Sequence, residues 1–491
     1  MKKLLFIIIL GLLISKVHAQ DITLKWADKI KTKGRVSIIG GKNNKYYTVH
    51  KNKDQNLIAR TYNEAMVLEN EKAINFKLSD KKRFGYKGAF FVDQKIMHFI
   101  YEKKKKQKKE YIYAGLTDGD LKTEDKLYVL DEYASKKSNH YIGSRSLSPD
   151  STKVLMYHEK SGKRREPNTL VYKVYNSDVT KVISEGAKKL PIKSKNFSSD
   201  EIEVDNFGNV YVLAKVWRDG KRKKGQSKYF YKVIIFGVDD SVTQYDFDYK
   251  DNNIASISMV SSENNTFVCT GFLNNLKGGK KKLISDEMFV ATIDCKKNKL
   301  TSSIKYEVPG LYPEKMRKSA DYVPYRVRNI FYKDDGGFVL VAEQYKLVTR
   351  TDSKGNVHYI YYYCDVACLN FNADGSLKAM TKIPKYQKNA ANPSIKATYL
   401  NGKTYVIYED LTKNMHATSD KKTKRSSRKI FSNGSNNSLF LLTVEDSGEV
   451  KKDILFNYKD SKIRPSVLGS VRSGKNKIIL HANDQIGLLT F

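Results

Sequence analysis

With 89 Lys and Arg against 53 Asp and Glu in 491 residues, the chain carries a formal net charge of +36 at pH 7. An excess of this size favours anionic partners and says nothing about fold. Hydrophobic residues make up 40%, including 33 Tyr and 21 Phe, which is ample for a core, while nine Pro and scattered Gly exclude a long disordered linker.

Lys2 and Lys3 precede an apolar run from Leu4 to Ile14, and Val17-His18-Ala19 offers small residues at the two positions a signal peptidase reads. Residues 1–19 therefore read as a secretory signal peptide. The run is too short to span a bilayer, and no later segment approaches the roughly 18 uninterrupted apolar residues of a spanning helix. The expected mature chain begins near Gln20, is soluble and exported and, with no Cys after the leader, has no lipid anchor. Loss of Lys2, Lys3 and Lys16 leaves 86 basic against 53 acidic side chains, or +33.

From there one mark recurs, a turn followed by an aromatic or β-branched strand. It stands at Lys42-Asn43-Asn44 before Tyr46 to Val49, at Asp93-Gln94 before Ile96 to Tyr101, at Ser148-Pro149-Asp150 before Val154 to Tyr157, and at Gly208-Asn209 before Val210 to Val216. It continues at Glu263-Asn264-Asn265 before Phe267 to Cys269, Asp334-Asp335-Gly336 before Phe338 to Ala342, Asn401-Gly402 before Tyr405 to Tyr408, and Ser473-Gly474 before Ile478 to Leu480. The fourth copy is the fullest. Gly208 and Asn209 both tolerate positive φ, the strand breaks at Asp219-Gly220, and Tyr229 to Gly237 returns as a run suited to a sheet covered on both faces. Length alone suggests about three domains, but eight marks roughly fifty to seventy residues apart, each allowing about four short strands, argue for one. They predict an all-β chain, a single β-propeller over residues 20–491 with eight four-stranded blades. Seven blades are the alternative, because the first unit, between Arg35 and Phe76, has the least distinct boundaries.

Ser148-Pro149-Asp150, followed by Lys153 and an apolar strand, resembles the turn of TolB-like propeller repeats, which are similar in architecture to WD repeats. Ser151 stands where those repeats usually have Gly. The resemblance implies the fold and nothing about activity. The lysine-rich composition and the leader also resemble those of Bacteroidota envelope proteins, a group in which soluble propellers accompany outer-membrane export machinery. At the chain's end, strands near Val467 to Val471, Lys477 to His481 and Ile486 to Phe491 leave the last unit one strand short. Ile22 to Trp26 is an otherwise orphaned alternating strand that would complete it and close the ring.

If each blade runs a, b, c, d from the axis outward, the basic runs all fall between strands b and c. Residues 51–54, 103–109, 160–166, 219–228, 277–282, 349–354 and 420–429 together carry +24 of the +33. Strand direction repeats in every blade, so these loops are expected on one rim. The residues singled out there as partner-binding are Lys103, Lys104, Lys105, Lys106, Lys163, Arg164, Lys221, Arg222, Lys223, Lys224, Lys280, Lys281, Lys421, Lys422, Lys424 and Arg425. Solvation of hairpin tips alone would also account for such runs.

Three functional readings follow. The first is a non-catalytic envelope scaffold, periplasmic or secreted, whose basic face meets a protein or an anionic surface such as lipopolysaccharide. It would suit an accessory subunit of export machinery. The second is a lyase or binding protein for acidic polysaccharide, with His50, His98 and His158 as candidates beside Tyr47, Tyr101 and Tyr157, although isolated strand histidines are mostly packing residues. A His, Tyr and Arg convergence at the ring's mouth would favour it. The third, nucleic-acid binding, fits the charge but conflicts with the leader and lacks aromatics interleaved in the basic runs. No HExxH, P-loop or nucleophile-elbow pattern is present, so no cofactor is expected, and nothing fixes the oligomeric state. Asp246, Asp248, Asp251 and Asn252 lack the order of a calcium loop and are assigned to a strand end and turn. Cys269, Cys295, Cys364 and Cys368 are expected to be buried thiols, and the spacing of Cys364 and Cys368 within one strand rules out their pairing.

Overall fold

The turn at Asp205 shows how a blade begins. Its Oδ1 accepts the backbone N–H of Phe207, Gly208 and Asn209 at 2.9, 2.8 and 2.9 Å, which reverses the chain while Gly208 takes a φ of +96°. Asn209, expected to share the positive φ, does not. Its amide instead donates to Asp205 Oδ2 at 2.7 Å and to the Cys295 carbonyl at 3.2 Å. Strand Val210–Trp217 leaves the turn and pairs along its whole length with Tyr229–Phe236. Neighbouring blades cover both faces of this hairpin: the Tyr211 ring stacks on Phe267 with centroids 4.1 Å apart, a contact worth about 0.5–1.5 kcal/mol beyond area burial.

A computed structural model describes residues 22–30, 32, 36–52, 56–76, 85–104, 106–134, 144–220, 225–261, 264–276, 286–312, 323–388, 394–417, 426–427, 436–461, 463–482 and 484–491. Its strands form eight antiparallel blades. Blade 1 is Ser37–Lys42, Lys45–Lys51, Leu57–Tyr62 and Leu68–Ala73; blade 2 is Gly85–Val92, Lys95–Lys104, Lys109–Thr117 and Thr123–Ala134. Blade 3 is Ser144–Leu147, Lys153–Lys160, Pro167–Asn176 and Val182–Lys193; blade 4 is Phe197–Val204, Val210–Trp217, Tyr229–Phe236 and Val242–Phe247. Blade 5 is Asn252–Ser261, Thr266–Asn275, Glu287–Asp294 and Lys299–Glu307; blade 6 is Tyr325–Tyr332, Phe338–Thr351, Val357–Phe371 and Leu377–Ile383. Blade 7 is Ile395–Leu400, Lys403–Leu411, Asn437–Glu445 and Val450–Asn457. Blade 8 takes Ser466–Arg472, Lys477–Ala482 and Gln485–Thr490 from the end of the chain and Thr23–Trp26 from its start, in the register Thr23 to Thr490 and Trp26 to Gly487. The ring therefore has eight blades rather than seven, and the N-terminal strand closes it. Inner strands abut around the axis, Ser37–Lys42 lying against both Gly85–Val92 and Ser466–Arg472.

Strand direction alternates, so the a to b and c to d turns share one face, and the b to c loops and d to a connections share the other. Two features of the second face were not expected. The inner strands of blades 1, 2, 4, 5 and 6 each carry a register shift that leaves one residue unpaired, among them Lys87, Asp200 and Arg328. Such bulges bend a strand and re-aim its side chains. In blade 6, strands b and c run on past the sheet as a long hairpin, pairing from Tyr345 with Tyr363 out to Thr351 with Val357. Residues 349–351, read from sequence as loop, are therefore strand. Gln387–Lys388 pairs with Tyr362 and Tyr363 at the base of this hairpin, and Ser426–Ser427, from the b to c connection of blade 7, adds a parallel strand to it.

The four cysteines are buried and form no disulfide. Among the described residues no helix is long and apolar enough to cross a membrane, and no three His, Cys, Asp or Glu side chains could hold a metal.

Candidate functional site: a Tyr and Arg lined mouth

On the b to c face, blades 4, 5 and 6 bring cations onto aromatic rings. Lys215, near the end of strand b in blade 4, places its ammonium 3.8 Å from the Tyr229 centroid, 5.5 Å from Trp217 and 5.8 Å from Tyr231. Tyr229 is fixed against blade 5, its hydroxyl donating to the Ile254 carbonyl at 2.9 Å and accepting from Asn253 Nδ2 at 3.2 Å. Across the mouth, exposed Arg326 lies 4.4 Å from the Tyr345 centroid, and Arg328, on its bulge, 5.5 Å from Tyr345 and 5.9 Å from Tyr363. Burial holds the Lys215 ammonium below its ordinary pKa; Asp200 opposes this and Arg326 adds to it. Burial likewise pushes the Tyr231 hydroxyl up, with the Asp200 carboxylate adding and Arg326 opposing. Arg326 thus acts electrostatically on both residues of blade 4.

Beneath lies a buried polar hub. Glu343 is fully buried; its Oε2 accepts from Arg328 Nε at 2.9 Å and from Ser394 Oγ at 2.9 Å, and its Oε1 accepts from the equally buried Lys385. Lys385 Nζ also donates to Gln387 Oε1 at 3.0 Å, and its backbone N–H reaches Asp365 Oδ1 at 3.2 Å. Arg328 and Lys385 are therefore committed to Glu343. Arg326 and Lys215 have no carboxylate partner within ion-pair distance among the described residues.

The sequence-predicted residues divide differently. Lys103 and Lys104 were assigned to a loop, but strand b of blade 2 runs through Lys104 and strand c resumes at Lys109. Lys103 pairs with Glu110 at 2.8 Å, and Lys104 lies 3.7 Å from Glu102 and 5.0 Å from the Tyr111 centroid, so part of the charge counted there is neutralised across the ladder. Lys106, Lys163 and Arg164 are exposed at hairpin tips of the b to c face. Lys105, Lys221, Arg222, Lys223, Lys224, Lys280, Lys281, Lys421, Lys422, Lys424 and Arg425 lie outside the described residues.

The three histidines are not brought together, and none reaches the mouth. His98 is fully buried, its Nε2 3.0 Å from Thr117 Oγ1 and its Nδ1 3.3 Å from the Tyr86 hydroxyl, and burial pulls it down to about 3. His50 is buried and held low by that burial and by Arg60. His158 is buried with Nδ1 3.3 Å from Asp131 Oδ2 and its ring edge-on to Tyr133. Asp246 and Asp248 are taken by Lys232 and Arg218. The residues that do converge, Lys215, Trp217, Tyr229, Arg326, Tyr345 and Tyr363, were missed. Their one sequence signal was aromatic residues flanking the 219–228 and 349–354 segments on both sides.

No known protein family and no curated protein matches the chain. Among solved structures it is similar to the WD40 domain of SCAP from fission yeast, at 9% identity and a TM-score of 0.40 over 96% of this chain and 98% of that one. It is also similar to the propeller domain of the Trilobed protease from Pyrococcus furiosus, at 13% identity and a TM-score of 0.37 over 89% and 97%. A third is polysaccharide lyase Uly1, at 10% identity and a TM-score of 0.37 over 97% and 94%. The chain is a β-propeller at the level of fold. Likeness of this degree says nothing about its chemistry, which rests on the residues of the mouth and rim.

Proposed function

We propose that the protein is a binding propeller of the cell envelope, periplasmic or secreted, that takes a polyanionic partner on its b to c face. An accessory role in outer-membrane export machinery fits this reading. The observation that carries it is a set of exposed cations on that face, with Lys106, Lys163 and Arg164 at hairpin tips and Arg326 beside the Tyr345 ring. From the strand order, the basic segments outside the described residues are expected on the same face, where Lys215 and Arg326 have no carboxylate within ion-pair distance among the described residues. A field of this shape steers an anionic partner to one side of the ring.

The test replaces Lys106, Lys163, Arg164, Lys421, Lys422, Lys424 and Arg425 together by Ser and compares capture of partners from an envelope extract with wild type. The variant should keep its thermal midpoint within a few degrees, since substitutions at exposed positions such as Lys106, Lys163 and Arg164 cost within about 0.5 kcal/mol each. It should lose most captured material. Association of wild type should slow as salt rises, because exposed charges are screened beyond roughly 8 Å at physiological ionic strength. Equal capture by both proteins would leave the lysines as a solvated surface and end the reading.

A further inference from the structure

The hairpin of blade 6 leaves the mouth with an aromatic file on one side. Residues two apart on a strand share a face, so Tyr363, Tyr361 and Tyr359 of strand c lie in a row, flanked on strand b by Tyr345, Leu347 and Thr349 in direct register. Exposure rises outward, with Tyr361 at 37%, Leu347 at 43% and Tyr359 at 56%. At the inner end Tyr345 and Tyr363 meet edge to face at 5.0 Å, and Arg326 stacks on Tyr345. An exposed apolar strip of this kind on a projecting element marks a contact surface. Its makeup narrows the occupant. Tyrosine joins an apolar face to a polar tip, the strip is one file wide rather than a broad patch, and it begins at an uncommitted guanidinium with Lys215 and Asp200 nearby.

We infer that the strip is the docking track of an acidic polysaccharide, with one uronate carboxylate on Arg326 and successive sugar rings against Tyr361 and Tyr359. This rests on the b to c face being the binding face and names the polyanion it takes. A sugar ring presents C–H groups to an aromatic face and hydroxyls at its edge, which suits tyrosines with Thr349 beside them. The carboxylate matches the planar fork of an arginine. Lys215, with its ammonium on Tyr229, adds positive field at the same opening, and Asp200 offers an acceptor to a sugar hydroxyl.

The experiment titrates wild type, Arg326→Ala, the double variant Tyr359→Ala/Tyr361→Ala, and the rim variant Lys106→Ser/Lys163→Ser/Arg164→Ser with a defined oligogalacturonate, read by calorimetry and tyrosine fluorescence. Circular dichroism and thermal midpoint confirm the fold of each. Wild type should bind with a fluorescence change, and the arginine and tyrosine variants should each weaken binding by about tenfold or more. The rim variant should weaken uronate binding only through lost field, so its deficit should vanish at high salt while those of the arginine and tyrosine variants persist. A neutral galacto-oligosaccharide of equal length should bind more weakly than the uronate and lose nothing further in Arg326→Ala. Dextran sulfate, which supplies charge without the carboxylate, should compete poorly against the oligogalacturonate and be insensitive to the tyrosine substitutions. Undiminished binding by either the arginine or the tyrosine variant, or no binding by wild type, overturns the inference. If that happens while the lysine-to-serine rim variant still loses its envelope partners, the track fails and the wider reading of the basic face stands.

Discussion

Gly487 stands opposite Trp26 in the ladder that closes the ring, and a Cβ on Gly487 would lie 2.7 Å from the indole Cε3. The indole is held on its other flank by Phe456, 5.7 Å between centroids. Gly487→Ala should therefore displace Trp26 and cost about 1–3 kcal/mol, the range for overpacking a filled site. Deleting residues 22–29 removes the whole strand and should cost several kcal/mol. Urea denaturation reads both, and an unchanged midpoint for the deletion would mean that the strand does not hold the ring shut.

The hub under the mouth predicts an asymmetry. Lys385→Met leaves Glu343 with Arg328 and Ser394, so the loss is that of one charged hydrogen bond, about 1.5–3 kcal/mol. Glu343→Gln leaves a fully buried ammonium and the Arg328 guanidinium without their counterion, and should cost more, about 3–5 kcal/mol. Chemical denaturation of the two variants ranks them; equal costs would show that Lys385 draws its compensation elsewhere.

A pH dependence follows from Glu201 on the inner strand of blade 4. Burial raises its carboxyl to about 7, against hydrogen bonds from Met259 N at 2.8 Å and Ser258 Oγ at 2.9 Å. The folded state keeps this proton where the unfolded chain, near 4.5, has released it. Its contribution to stability is therefore fully present below 4.5 and lost as pH rises through 7. Glu203, and Asp410 at about 6, are raised by burial in the same sense. Glu201→Gln should thus flatten, without abolishing, the fall in thermal midpoint between pH 5 and pH 8, and should melt above wild type at pH 8.

Which of these features could be read in advance depended on how local their cause is. Gly208 and the turn before Val210 reveal a strand because the signal lies within a few residues, and the blade count follows from its repetition. Ile22 to Trp26 was assignable to the last blade because its alternation had no other partner. The blade 6 hairpin was hidden because Tyr345 to Thr351 and Val357 to Tyr363 alternate like any strand, and nothing in the pattern says where the sheet stops and the hairpin continues alone. Asp200 and Arg328 owe their direction to bulges, which depend on cross-strand pairing. The mouth joins Lys215 and Arg326 from different blades, a proximity set by the ring and not by spacing. The histidines were placed on the correct strands, but a b strand packed between neighbouring blades buries what it carries.

Thiol chemistry gives a fourth test. Burial pushes Cys295 and Cys368 up to about 12 and Cys269 well above its ordinary value, and the thiolate is the reactive form. Iodoacetamide at pH 8 should label none of these three in the folded protein and all four cysteines after denaturation. Cys364 and Cys368 share strand Val357–Phe371, about 13 Å apart by strand rise, so mass spectrometry should find no bond between them.

Thr23–Trp26 leaves the ribosome long before its partner strand Gln485–Thr490. Throughout synthesis the early strand must remain uncommitted while seven sheets assemble behind it, each offering an open edge. Closure is thus a single late event of very high contact order, which delays folding and keeps the nascent chain open to mispairing. A ribosome stalled before Gln485 would hold a nearly finished ring with its seam unsealed, so the protein stays vulnerable for as long as the seven intervening blades take to be made.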